Sequence, residues 1–246
     1  HRHAVQGVDA PREEHRGFGQ ADRSGRDGEG LGERPWPAPA GSASPAGSRA
    51  PQEPPRRRPD LDEAAAAVLD AQQQKHRLEL RGLGTKTGIG NQPVYDACLD
   101  VSAMQGIVDY QPEELVLTVR AGTTLLAVEA ALDKANQMLA FEPADLSALF
   151  KSKSTGTIGG VLATNLSGPR RLTAGAARDF LLGFDAVSGR GERFKSGGRV
   201  MKNVTGYDLS KLICGSYGTL AVIDEVTIKT LPRPETSLSL LFKSDD

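Results

Sequence analysis

The chain has 246 residues, a formal net charge of -1 and 38% hydrophobic residues, enough for one or two domains with a buried core. The near-neutral balance argues against nucleic acid as the main partner, and no apolar run approaches the length of a membrane span. The N-terminus lacks the basic-then-apolar layout of a signal peptide, and Cys98 and Cys214 share no metal-type spacing, which points to two buried thiols in a reduced, intracellular setting rather than a disulfide.

Residues 1–59 are a different material from the rest. They hold nine of the fifteen prolines and three of the four histidines among Gly, Ser, Arg and Glu, so little apolar surface is left to offset chain entropy and a disordered low-complexity tail is expected. His1, His3 and His15 have no regular framework to hold a metal, and the run Arg56, Arg57, Arg58 reads as solvated.

From Asp60, LDEAAAAVLDAQQQK reads as a helix with an acidic start and a basic end. RLELR is a short alternating strand that runs straight into Gly82-Leu83-Gly84-Thr85-Lys86-Thr87-Gly88-Ile89-Gly90. Such a strand-to-glycine turn presents consecutive backbone N–H groups to one point, a concavity suited to phosphate, with Lys86 and the threonine hydroxyls assisting. It is neither a Walker loop nor a Rossmann GxGxxG, because the Gly-Lys-Ser/Thr spacing is absent and no helix begins there.

ACLDV, IVDYQ and LVLTVR read as short strands, with a one-turn helix near Ser102 and a hairpin turn around Pro112. Thr123 is expected to cap a helix to about Asn136, with Leu125, Val128, Ala131 and Leu132 facing inward, and Met138 to Phe141 reads as a strand. A second small-residue cluster follows at Thr155, Gly156, Thr157, Ile158, Gly159 and Gly160. Small residues at the mouth of a helix offer free N–H donors to an anion; alternatively, Gly159 and Gly160 let the helix sit close against a sheet. Asn165, Ser167 and Gly168 make a further turn. LLGFDAVS and ERFKS read as a hairpin, and Arg178 with Asp179 as either a catalytic pair or a helix-end salt bridge.

The third cluster, GGRVMKNVTGYDLSKLICGSYGTL at 197–220, is the densest. Gly197 and Gly198 permit sharp turns, Asn203 and Thr205 offer short polar groups, and Gly206 lets main chain approach a ligand. Tyr207 to Cys214 reads as a helix with an apolar stripe of Leu209, Leu212 and Ile213, stopped by Gly215. AVIDEVTIKT then alternates as a half-buried strand.

Three such clusters in a mixed α and β chain suit one long cofactor. On EELVLTVRAGTTL, NQMLAFEP, NLSGPRR with GAARDFLLG, and the 197–220 stretch ending in LPRP, residues 61 to 236 resemble the FAD-binding domain of the vanillyl-alcohol oxidase and p-cresol methylhydroxylase (PCMH-type) flavoprotein family. Within that family the motifs are most similar to the FAD-binding E subunit of bacterial glycolate oxidase. The resemblance implies an α+β, PCMH-type domain of two α/β lobes with FAD between them over residues 60–236. The tail would precede it, and 237–246 would begin a truncated C-terminal cap region. It implies that Arg81, Gly82, Leu83, Gly84, Thr85 and Lys86 wrap the FAD pyrophosphate. Thr155, Gly156, Thr157, Gly159, Gly160, Asn165, Ser167 and Gly168 would line the phosphate and ring side, and Lys202, Asn203, Gly206, Tyr207, Gly218 and Val222 would border the flavin cleft.

His76, the one histidine beyond the tail, matches no position of covalent attachment, so non-covalent FAD is expected. Ala221 stands where the family usually has glycine, and crowding of the cofactor is expected there. The implied role is a subunit of a complex oxidising glycolate to glyoxylate with flavin as hydride acceptor. A second flavoprotein and an iron–sulfur subunit would be its partners, and a cytoplasmic chain would reach the membrane only through them. Two other readings stay open: a stand-alone FAD-linked 2-hydroxy acid dehydrogenase of the D-lactate type, and a non-catalytic flavin-holding assembly subunit. No residue is identified as the catalytic base.

Overall fold

The computed structural model describes residues 60–90, 94–198, 206–238 and 240, with the backbone of Arg56–Arg57. Apart from that pair, the expected tail lies outside the described residues, as do Lys202, Asn203, Thr205 and 241–246.

The first lobe is built from β1 (Arg56–Arg57), α1 (Leu61–Gln74), β2 (Leu78–Arg81) and β3 (Ala97–Asp100). Asp60 starts α1 with a reciprocal cap: its carboxylate accepts from Glu63 N at 2.9 Å, and the Glu63 carboxylate accepts from Asp60 N at 3.0 Å. The strands form a parallel sheet in the order β1-β3-β2, so two residues of the arginine run are ordered as an edge strand against Cys98 and Leu99.

The second lobe holds β4 (Ile107–Gln111), β5 (Val116–Arg120), α2 (Leu125–Asp133), β6 (Gln137–Met138), α3 (Ser147–Phe150), α4 (Ile158–Thr164), α5 (Arg171–Ala174), α6 (Ala177–Phe180), β7 (Leu181–Ser188), β8 (Arg193–Gly197), α7 (Leu209–Ile213), β9 (Ala221–Lys229) and β10 (Leu231–Pro232). Its five-stranded antiparallel sheet runs β4-β5-β9-β7-β8. Leu125, Val128, Val161, Leu162, Phe180 and Ile213 bring α2, α4, α6 and α7 onto one face of that sheet. Val187 and Val222 on the other face join Ala64, Val68 and Leu99 in a smaller core that seals the lobes together. The central strand β9 is buried continuously from Ala221 to Asp224, where both faces are covered, and alternates as expected from Glu225 to Lys229.

Three local expectations shift. Thr124, not Thr123, caps α2, its hydroxyl accepting from Ala127 N at 3.2 Å, because the Thr123 hydroxyl is taken by Gly106 N at 2.8 Å and its carbonyl by Ile158 N at 2.9 Å. The strand expected at Met138 to Phe141 is confined to Gln137–Met138, and Phe141 turns into the larger core. The helix α7 is short, with Ser210 and Ile213 as its buried residues, which leaves Leu212 61% exposed.

Candidate functional site

A cleft of about 440 Å³ opens where three stretches meet: 78–87 of the first lobe, 157–164 on α4, and 217–223 at the head of β9. Glycines sit at the points of closest approach. A Cβ on Gly82 would stand 3.1 Å from the Thr157 hydroxyl, one on Gly156 2.7 Å from the Thr85 hydroxyl, and one on Gly218 3.2 Å from Leu80 Cδ1. Side chains at these positions would push the three stretches apart.

The loop after β2 is the donor-rich wall. Among the described residues no protein acceptor meets the backbone N–H groups of Leu83, Gly84, Thr85 and Lys86. Lys86 Nζ reaches the Thr85 hydroxyl at 3.3 Å, and no carboxylate lies within ion-pair distance of it among those residues. Burial lowers the Lys86 pKa below its ordinary value, with Asp145 opposing. Four unpaired amides and a half-buried ammonium form a donor set without acceptors, which fits an anionic diphosphate. The Arg81 guanidinium is instead engaged by Glu79 through contacts of 3.2 and 2.6 Å.

The mouth of α4 differs from expectation. Its N–H groups are not free: Ile158 N donates to Thr123 O at 2.9 Å, Gly159 N to Ala121 O at 2.8 Å, and Gly160 N to the Thr157 hydroxyl at 3.1 Å. The chain leading from β5 into α2 lies alongside, bridged at Thr124 and Thr157, and its carbonyls cap the helix. The two glycines also separate. A Cβ on Gly159 would lie 2.7 Å from Ala121, a packing contact, whereas one on Gly160 would point toward Lys86 Nζ, 3.9 Å away.

Other expected residues fall away from the walls. Asn165 ends α4 at a φ of 52°, and its side chain accepts from Arg178 N at 3.1 Å. The Ser167 hydroxyl accepts from Ala177 N at 3.0 Å, so both side chains clamp the start of α6. Gly168 packs on Glu142, and Thr155 lies outside the cleft lining. The Asp179 carboxylate accepts from Ala176 N at 2.9 Å, which makes it the cap of its own helix rather than the partner of Arg178. Gly206 has a φ of 80° and open space where a Cβ would stand, so it supplies conformation there rather than clearance, and Tyr207 is 90% exposed. Val222 lines the cleft and belongs to the core between the lobes. Ala221, where crowding of the cofactor was expected, is buried in the larger core and also lines the cleft.

Tyr217, Tyr95, Glu79 and Thr164 line the cleft without having been singled out. The available signal was the aromatic ring set between Gly215 and Gly218, two glycines with positive φ. Cys214 is buried, donates to Leu162 O at 3.1 Å, and has its thiol pKa pushed up to about 12 by burial, which leaves it unreactive. Cys98 is likewise buried and unbridged. No helix among the described residues is long and apolar enough to cross a membrane.

Comparison with known proteins agrees with this architecture. A family profile described as "FAD binding domain" matches residues 59–197. The chain is 47% identical over 180 residues to glycolate oxidase subunit GlcE of Escherichia coli, covering 73% of this chain and 48% of that protein. It is 35% identical over 170 residues to glycolate oxidase subunit GlcD of Bacillus subtilis, covering 68% of this chain and 35% of the relative. The chain thus spans half or less of the length of these relatives. Among solved structures, alkyldihydroxyacetonephosphate synthase superposes with a TM-score of 0.55 at 23% identity, over 71% of this chain and 31% of the synthase, which establishes the shared PCMH-type fold.

Proposed function

The chain belongs to the FAD binding domain family of FAD-dependent oxidoreductases, with FAD as its cofactor, and from that premise we propose that it is the FAD-holding subunit of a complex oxidising glycolate to glyoxylate. The observation that carries this reading is the 47% identity to GlcE over 180 residues. The cleft supports it: the amides of Leu83 to Lys86 and the Lys86 ammonium are suited to hold the diphosphate, and Gly160 and Gly218 keep the opposite walls clear. FAD, when bound, supplies the two-electron acceptor. The role of this chain is to bind it, orient it and exclude water from the walled part. No residue of this chain is assigned as the proton acceptor for the substrate hydroxyl, and its partners in the complex would be a second flavoprotein and an iron–sulfur subunit. Attachment is non-covalent, and acid precipitation of the loaded protein should release all the flavin to the supernatant.

The deciding experiment co-purifies the full chain with its partner subunits and adds substrate without oxygen. Loss of the flavin's visible absorbance with glycolate, and not with D-lactate, is the expected result. Faster loss with D-lactate would favour the 2-hydroxy acid dehydrogenase reading, and no loss with either would favour the assembly subunit.

A further inference from the structure

We propose that Phe150 is a positioning residue for the cofactor: its ring, seated on Gly88, holds the loop after β2 so that the amides of Leu83 to Lys86 are in place before the diphosphate arrives. This rests on FAD occupying the cleft. A Cβ on Gly88 would stand 2.7 Å from Phe150 Cε1 and 2.8 Å from Cδ1, so one edge of the ring fills the space that a side chain would need. Gly88 is not among the glycines with positive φ, so the ring, and not the backbone, requires glycine there. Phe150 is a half-buried aromatic that packs against neither hydrophobic core, and neither it nor Gly88 lines the cleft. What the ring covers is the loop that carries the donors.

The segment that presents Phe150 is built locally. Asp145 starts α3, its carboxylate accepting from Ser147 N at 2.8 Å; Phe150 N donates to Leu146 O at 3.0 Å and Ser152 N to Ser147 O at 2.9 Å. The Asp145 pKa is lowered by Ser147 and then by the Lys86 charge, so the start of α3 faces the cation of the loop. The Ser152 hydroxyl donates to Ser154 O at 3.0 Å and the Ser154 hydroxyl accepts from Gly156 N at 3.1 Å, which carries the chain to Gly156 beside Thr85. One short, internally bonded segment thus meets the loop at Thr85 and again at Gly88. Holding the loop there removes ordering that FAD binding would otherwise have to impose on Leu83 to Lys86.

The test measures the FAD dissociation constant by flavin fluorescence, beside the thermal midpoint without FAD, on the full chain and on Phe150→Ala, Phe150→Leu, Gly88→Ala and the double variant. Phe150→Ala should weaken FAD about fivefold or more and leave the cofactor-free midpoint nearly unchanged. Phe150→Leu, which keeps an apolar side chain over Gly88, should recover most of the affinity. Gly88→Ala should weaken FAD by a similar factor, and adding it to Phe150→Ala should cost nothing more, because both changes break one contact. A ring with only a structural role would lower the midpoint and leave the affinity of the folded fraction intact. That result, or single losses that add in the double variant, overturns the inference and leaves FAD as the cofactor. If Phe150→Ala does not fold, Gly88→Ala is the deciding variant: a loss of about fivefold supports the inference and unchanged affinity overturns it. If the unaltered chain binds no FAD, the cofactor assignment and this inference fall together.

Discussion

Lys86 is a cation held in the cleft wall against its own desolvation. Its pKa is lowered by burial, and among the described residues it has no ion-pair partner. A bound diphosphate would supply one, so Lys86→Met should weaken FAD binding about tenfold or more, the worth of one hydrogen bond to a charged group. The phosphates favour the ammonium form. FAD affinity of the unaltered chain should therefore fall as pH rises through the lowered Lys86 pKa, starting below the ordinary lysine value of about 10.4. Lys86→Met should lack that fall; superimposable pH profiles would reject the contact. Asp224 is the contrasting case. It is 3% exposed at a bulge of β9 beside Arg120, whose guanidinium stands 2.9 Å away but off the line of a hydrogen bond. Burial raises the Asp224 pKa despite that cation. The folded chain thus holds this proton more tightly than the unfolded chain, and the contribution is fully present below the unfolded pKa of about 4 and lost as pH rises through the folded value. Asp224→Asn should gain stability relative to the unaltered chain as pH climbs from about 4, read from denaturant midpoints; a difference independent of pH would refute this.

At the scale of elements, α4 separates two roles that its glycines share in sequence. Gly159→Ala would drive a Cβ to 2.7 Å from Ala121 Cβ and O, which are fixed by the Gly159 N to Ala121 O bond. That overpacking should cost about 1–3 kcal/mol and leave FAD affinity of the folded fraction unchanged. Gly160→Ala meets the Thr157 hydroxyl at 3.2 Å and points toward Lys86. Helix propensity offsets that crowding by about 1 kcal/mol, so stability should hold while FAD affinity falls. Thermal melts beside flavin titrations distinguish the two, and identical behaviour of the pair would erase the distinction. The sequence could not make it, because TGTIGG does not reveal that Ala121, far back in the chain, lies against one glycine and not the other. What was legible was local: the acidic start of α1 just after Asp60, the β2 strand running into its loop, and the β7–β8 hairpin. What was not legible depends on contacts between distant elements. The capped N–H groups of α4, the continuous burial of the head of β9 and the inward use of Asn165 and Ser167 are all set by neighbours remote in sequence. Tyr217 was overlooked because attention to small residues passes over an aromatic ring placed between them.

The described residues form two cores; the smaller one joins the lobes behind the cleft, while Ala121, Ala221 and Ile223 bring the larger one to its wall. Leu99, 1% exposed in the first lobe's sheet, packs with Val68, Val187 and Val222 and so holds β2 and its loop against the head of β9. Ile228, fully buried, lies in the larger core under α2 and α4. Truncating either to alanine should cost about 2–5 kcal/mol. The two variants should differ in their response to cofactor. A ligand that binds the folded state adds about 2.7 kcal/mol at a hundred times its dissociation constant, so FAD should raise the unfolding midpoint of the unaltered chain and of Ile228→Ala by similar increments. Leu99→Ala loosens the seam that brings the loop to β9, and its increment at the same FAD concentration should be clearly smaller. Equal increments in both variants would mean that closure of the lobes contributes nothing to holding the cofactor.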